Sequence, residues 1–247
     1  MGISTTKIVG INEDSVVISP IRIRATDPVT SLYGGFGKYL FDNQIDLQDI
    51  EQVMITGVGS AYIDKPIYGL PTAKAEEFVA DGLGARYETD LDRMIVVSMG
   101  TGTSLVQCDG DDMKQIISLA MQGDISNIDL RIGDISPNPL PGLPKDVTAS
   151  LFGKARSNAM REDIARGIIT TVLQTIGSSC ILASLNSGIR EYVLIGNLTL
   201  LPQCKQVFPG LEKLYKVHFI IPKYSEFCTA IGAALCYKTK QHERIRP

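Results

Sequence analysis

One short pattern occurs twice in this chain. Gly2-Ile3-Ser4-Thr5-Thr6-Lys7-Ile8-Val9 ends in the polar turn Asn12-Glu13-Asp14, and Gly100-Thr101-Gly102-Thr103-Ser104-Leu105-Val106-Gln107 ends in the polar turn Asp109-Gly110-Asp111-Asp112. Each copy reads as a small-hydroxyl turn, then a strand, then a hairpin tip, so the chain divides into two related halves. The copies differ at their flanks. A strand candidate at 94–98 leads into the second copy, whereas none precedes the first. The first copy has a return strand at 16–24, whereas the second passes from Asp112 straight into the helical pattern Met113-Lys114-Gln115-Ile116-Ile117. A hairpin without its second strand leaves a row of unpaired backbone groups. We therefore expect residues to be missing at Met1/Gly2 and at Asp112/Met113, with a break in space at the second joint; the alternative is a genuine deletion.

Between the copies, short β-branched runs alternate with helical periodicity. Strand candidates lie at 16–24, 53–56, 94–98, 104–107, 191–195 and 217–221, and helix candidates at 32–40, 73–83, 113–121, 162–185 and 225–237. Residues 137–144 hold four prolines and must be loop. This alternation predicts an α/β architecture with helix-covered sheets. A length of 247 residues suits two modest domains, divided near the second copy into 1–95 and 96–247.

Composition narrows the partners. A net charge of −3, with no basic stripe interleaved with aromatics, predicts no nucleic-acid partner. The five cysteines, at 108, 180, 204, 228 and 236, form no C-x-x-C pair, and His218 and His242 lack ligand spacing. Free thiols in a reducing, cytoplasmic setting and no metal centre are expected. No apolar run is read as reaching the ~18 residues of a membrane span, and the first residues do not read as a secretory signal. Gly2 to Thr6 fits a myristoylation pattern and Asn197-Leu198-Thr199 a glycosylation sequon. Both are discounted, because a cytoplasmic chain is not glycosylated and Gly2 has a use in the repeated turn.

Glycines and small hydroxyl residues at a strand end let backbone N–H groups cradle phosphate oxygens. Gly100-Thr101-Gly102-Thr103-Ser104 is the sharpest such segment, although a plain glycine hairpin is an alternative. Gly2 to Lys7 is its partner, with Lys7 either a point charge for a phosphate or a solvated strand lysine. In Ala73-Lys74-Ala75-Glu76-Glu77-Phe78-Val79-Ala80-Asp81-Gly82-Leu83, an apolar arc of Ala75, Phe78, Val79 and Leu83 leaves Glu76 at its edge and Glu77 nearly opposite. Phosphorylating an alcohol needs a carboxylate for the hydroxyl proton, yet spacing alone reads both glutamates as solvated residues of a helix start. Near the C-terminus, Val193-Leu194-Ile195-Gly196-Asn197 reads as a buried strand and tight turn. Thr229-Ala230-Ile231-Gly232-Ala233-Ala234 then reads as a helix whose small-residue face fits either a flat base or close helix packing.

Taken in order, these segments resemble the type II pantothenate kinases of the bacterial kind. The resemblance also draws on Thr56-Gly57-Val58-Gly59, Ala120-Met121-Gln122-Gly123-Asp124, Ile128-Asp129-Leu130 and Ala149-Ser150-Leu151-Phe152-Gly153, and it spans nearly the whole chain. It implies a two-lobed actin-like, ribonuclease H-like fold with duplicated βββαβαβα lobes, ATP and Mg²⁺ between the lobes, and a homodimer. It further implies phosphate transfer from ATP to pantothenate, the first step toward coenzyme A. Residue by residue, it makes Glu77 the general base. Gly2, Ser4, Thr5, Lys7, Gly100, Thr101, Gly102 and Thr103 become the phosphate loops, Thr101 and Ser104 the substrate contacts, and Gly123, Gly196, Asn197 and Gly232 the nucleotide contacts. Two departures fall where the repeat is incomplete: the family's aspartate before the first loop, and its arginine and glycine-rich segment after the second hairpin, are both absent. As genuine deletions they would leave the chain catalytically dead. Three other readings share the fold. They are an ATPase activator of a radical dehydratase, which needs closely placed cysteines for its cluster; a sugar kinase, which usually carries aspartate as base; and a non-catalytic regulatory module.

Overall fold

The structure, a computed structural model, describes residues 5–24, 27–100, 113–138, 140–156 and 159–245. The first half opens on an antiparallel hairpin, β1 (Thr5–Ile11) and β2 (Val17–Arg24), with a bulge between Ile8 and Gly10. Helix α1 (Pro28–Asn43) begins four residues before the helix expected at 32–40. Pro28 stands at the first turn, and the Asp27 side chain accepts the Thr30 N–H at 2.6 Å, which satisfies one orphan donor. Then come β3 (Val53–Ile55), a 3₁₀ turn at Val58–Tyr62, β4 (Thr72–Lys74) parallel to β3, and α2 (Glu77–Thr89).

The second half begins with β5 (Ile95–Ser98). It continues through α3 (Met113–Gln122), β6 (Leu130–Arg131), α4 (Ile132–Ile135), β7 (Thr148–Ser150) and the long α5 (Arg161–Ser184). It closes with β8 (Glu191–Ile195), a 3₁₀ turn at Asn197–Leu200, α6 (Cys204–Tyr215), β9 (His218–Ile220) and α7 (Cys228–Ile245). Strands β5, β8 and β9 form a parallel sheet in that order, and β6 pairs antiparallel with β7.

The duplication is deeper than the repeated turn. β3, then Gly57 at φ +83°, a 3₁₀ turn, parallel β4 and α2 match β8, then Gly196 at φ +96°, a 3₁₀ turn, parallel β9 and α7. Only glycine occupies that backbone region without strain, so the two glycines mark equivalent points of the two halves.

Two cores follow. Leu32, Phe36 and Leu40 of α1 pack on Val53 and Ile55 of β3, with Ile8 of β1 against them. In the second half Ala165, Ile169 and Leu173 of α5 meet Ile116 and Ala120 of α3 and Phe208 and Leu211 of α6. By length and mean hydropathy (1.6), α5 with the turn after it (Arg161–Ser187) is the one helix among the described residues apolar enough to cross a membrane. The sequence reading misses this because glycines and hydroxyl residues interrupt its apolar runs.

The segment expected as a helix at 73–83 is corrected. Thr72–Lys74 is extended and pairs with β3, and the helix starts only at Glu77. The apolar arc assigned to it is also wrong, since Phe78 is 86% and Val79 54% exposed. The buried face is instead Ala80, Asp81, Gly84 and Ala85, because α2 crosses α7 too closely for larger side chains. Helix α6 has no counterpart in the sequence reading; its interior Pro209 and Gly210 hide it. The strand candidate at 104–107 and the Asp112/Met113 joint lie outside the described residues.

Candidate active site

A cleft of about 1120 Å³ opens between the two halves. Thr5, Thr6 and Lys7 of β1 line it on one side. Facing them are Ser98 and Gly100 at the end of β5, Gly196 and Asn197 after β8, and Thr229 and Ala230 in the first turn of α7. Glu77, the first residue of α2, borders the same space, whereas Glu76 caps the helix and does not line it. The tertiary structure thus separates two adjacent glutamates that spacing could not.

Gly196 is positioned by close approach. Its N–H donates to the Ser225 carbonyl at 2.9 Å, and a Cβ there would stand 2.6 Å from the Met99 carbonyl oxygen. The Leu198 N–H donates to that same Met99 carbonyl at 3.1 Å, which brings the turn after β8 against the start of the Gly100 loop. Two buried polar atoms at the cleft, Thr6 Oγ1 and Asn197 Oδ1, have no hydrogen-bond partner among the described residues. Such atoms are costly to bury unpaired, and here they border a space that a polar ligand can enter.

Lys7 is not a solvated strand lysine. Its ammonium donates to the Glu226 carbonyl at 2.5 Å, and Arg22 holds the Glu226 carboxylate at 3.1 Å. Burial draws the Lys7 pKa down to about 8, against a smaller opposing pull from Glu226. The unfolded chain therefore keeps this proton up to about pH 10.5 while the native chain releases it near 8, so stability rises with pH across that window. In denaturant melts from pH 7.5 to 10.5, the native chain is expected to gain stability relative to Lys7→Met. A difference that stays flat with pH would contradict the buried ammonium.

Asp81 is the residue that sequence reasoning missed. It lies one helical turn beyond Glu77, is 5% exposed, and accepts the Thr229 hydroxyl at 2.6 Å, with Ser98 as a further side-chain partner. Desolvation raises its pKa; the Thr229 hydrogen bond opposes the shift and the Glu77 charge adds to it. Asp81 ties α2, the end of β5 and the start of α7 into one frame behind Glu77. The one available signal was a charged residue set among Ala80, Gly84 and Ala85.

Other expected site residues fall elsewhere. Gly232 does not line the cleft; a methyl group there would overlap the Ala80 carbonyl of α2, and Ala230, Ala233 and Ala234 form the wall instead. Gly123 is also off the cleft, packed against the Glu162 carbonyl at the start of α5. At both positions the small-residue signal reflects helix packing. Gly2, Ser4, Thr101, Gly102, Thr103 and Ser104 lie outside the described residues.

An α/β chain in two related halves, with turns from each converging on one cleft, has the actin-like ATPase and sugar-kinase fold. Solved structures agree. The chain matches the activator of the 2-hydroxyisocaproyl-CoA dehydratase from Clostridium difficile with bound ADPNP at a TM-score of 0.61 and 17% identity, covering 100% of this chain and 96% of that one. It matches the Lmo2764 protein of Listeria monocytogenes at a TM-score of 0.54 and 11% identity, covering 98% and 97%. In sequence, the family described as Fumble matches residues 97–203. The type II pantothenate kinase of Staphylococcus aureus (strain USA300) is 30% identical over 140 residues, covering 44% of this chain and 52% of the relative. The chain thus spans about half the length of that relative. The 140 aligned positions outnumber the residues in 44% of a 247-residue chain, so part of the relative's matched segment has no counterpart here.

Proposed function

We propose that this chain is an ATP-dependent phosphotransferase of the type II pantothenate kinase kind, transferring the γ-phosphoryl of ATP to the primary hydroxyl of pantothenate. The observation that carries this reading is the placement of Glu77. A carboxylate at a helix start borders the cleft on which the Thr5–Lys7 segment, Gly100 and the Gly196–Asn197 turn converge. In this reading Glu77 accepts the acceptor's hydroxyl proton as the oxygen attacks phosphorus. The turns at Gly100 and at Gly196–Asn197 approach the nucleotide, with the Asn197 side chain contacting it. Lys7, fixed on the Glu226 carbonyl, adds positive charge beside the phosphates.

Among the described residues, no group of three His, Cys, Asp or Glu side chains is arranged to hold a metal ion. Mg²⁺ in phosphoryl transfer needs only the substrate phosphates and one or two carboxylates; Glu77 and Glu226 both line the cleft, Glu226 with one oxygen on Arg22. The residues present therefore fit an ion that arrives with the nucleotide and neutralises charge on its phosphates. The division into lobes 1–95 and 96–247, a homodimer and a cytoplasmic location complete the proposal.

The test is ATP consumption with pantothenate, with glucosamine-type sugars and with no acceptor. Turnover that depends on pantothenate is expected. Turnover only with sugars would transfer the chain to the sugar kinases, and hydrolysis without an acceptor to the ATPase activators. Nucleotide binding with no turnover on any acceptor would leave a regulatory module.

A further inference from the structure

We infer that Asp81 locks the Thr229 hydroxyl as a hydrogen-bond acceptor at the cleft wall, making a seat for a neutral donor of the phosphoryl acceptor and not for phosphate. The donor is a second hydroxyl or an amide N–H beside the hydroxyl that reacts. This rests on the kinase reading and deepens it, by dividing the cleft between acceptor and nucleotide.

The sense of one hydrogen bond carries the inference first. Thr229, in the first turn of α7, lines the cleft, whereas Asp81 stands behind it and is 5% exposed. The Thr229 hydroxyl donates to Asp81 Oδ1 at 2.6 Å, as short as bonds to an ionised carboxylate are. A hydroxyl has one proton and two lone pairs. With that proton held from behind, the Thr229 oxygen offers only lone pairs to whatever enters the cleft. Ser98, at the end of β5, also lines the cleft and bonds Asp81 through its side chain. Both bonds favour the ionised form of Asp81 against the desolvation that raises its pKa.

Charge then decides which group the seat accepts. The start of a helix ordinarily attracts an anion. At α7 that place is taken by Asp81, whose helix packs so closely that Gly84 meets the Cys228 carbonyl. Glu77 borders the cleft one helical turn before Asp81. Glu226, just ahead of α7, lines it too, with its carboxylate on Arg22 and its carbonyl on the Lys7 ammonium. An ionised phosphate oxygen has no proton to give, so at Thr229 it meets lone pairs and like charge. A neutral donor meets neither obstacle.

The neighbouring base says which molecule supplies the donor. Residues four apart on one helix have Cβ atoms ~5–6 Å apart, so Glu77 and the Thr229 oxygen held by Asp81 serve one small molecule together. Glu77 takes the proton of the reacting hydroxyl, and the Thr229 oxygen accepts from a second donor within that reach. Pantothenate carries two such groups, its secondary hydroxyl and its amide N–H.

The test is equilibrium titration of pantothenate into the full chain with ADP present, first with EDTA and then with Mg²⁺. Asp81→Asn sets an amide donor where Thr229 finds an acceptor, and Thr229→Val removes the hydroxyl. Each is expected to weaken pantothenate roughly 10-fold, with ADP affinity within about twofold. Thr229→Ser is expected to keep the native affinity, and Asp81→Asn to add nothing in the Thr229→Val background. Pantothenate without its secondary hydroxyl and pantothenate methylated at its amide nitrogen separate the two donors. The analogue that lacks the seated donor should bind the native and Asp81→Asn chains alike. Unchanged pantothenate affinity in Asp81→Asn, an equal loss for ADP, or additive losses in the double variant would overturn the inference and leave the kinase reading standing. So would two analogues that both still distinguish the native chain from Asp81→Asn. A loss confined to the Mg²⁺ titration would overturn it as well, by giving these oxygens to the ion's water shell. No binding of pantothenate by the native chain in either condition would sink the kinase reading and this inference with it.

Discussion

Glu77→Gln is expected to lower turnover by roughly 10²–10⁴, the scale of losing a general base, while nucleotide affinity stays within about twofold. The amide keeps the shape and polarity of the carboxylate but cannot take the acceptor's proton. Because Glu77 is an exposed residue of the first helical turn, the substitution leaves the fold intact, and a kcat loss reports on chemistry. Glu76→Gln is the matched control: same helix start, same charge change, no position on the cleft. Steady-state kinetics on both variants decide the matter. Equal effects, or a larger loss at Glu76, would remove Glu77 from the role of base.

Gly232→Ala carries the largest expected effect on stability. α2 and α7 cross with Gly84 against the Cys228 carbonyl and Gly232 against the Ala80 carbonyl, so an added methyl meets backbone rather than a movable side chain. Overpacking of this kind costs about 3 kcal/mol or more where neither backbone can yield. Gly210→Ala in α6 is the contrasting case. Nothing lies within 4 Å of its added Cβ, so the gain in helix propensity, up to about 1 kcal/mol, is all that remains. Urea melts of the two variants should move in opposite directions. A loss below about 1 kcal/mol at Gly232 would mean that the crossing is looser than the structure shows.

Much of the fold was legible because local chemistry dictates it. The helix expected at 32–40 lies within α1, although the reading passed over the Asp27-Pro28 cap that starts it. The buried run Tyr192 to Ile195 lies in β8, whose bounds agree with the strand expected at 191–195. The repeated turn pointed to two related halves, and the glycines at φ +83° and +96° show the same duplication in the backbone. Where local signals conflicted, the reading failed. Residues 73–83 have helical composition, yet Thr72–Lys74 is drawn into a strand by pairing with β3, and tertiary pairing outweighs the weak preference of a few residues.

The sequence by itself determined the α/β alternation and the doubled plan, since each depends on residues within a few positions of one another. Only the tertiary structure decided which of two adjacent glutamates borders the cleft and that Gly232 serves a helix crossing. It alone tied the Lys7 ammonium to a carbonyl 219 residues away and buried Asp81 against a threonine 148 residues away. Those outcomes depend on backbones meeting from opposite halves of the chain. A pattern of neighbours along one segment carries no record of which distant segment will cover it, because burial and desolvation are set only once the two have packed.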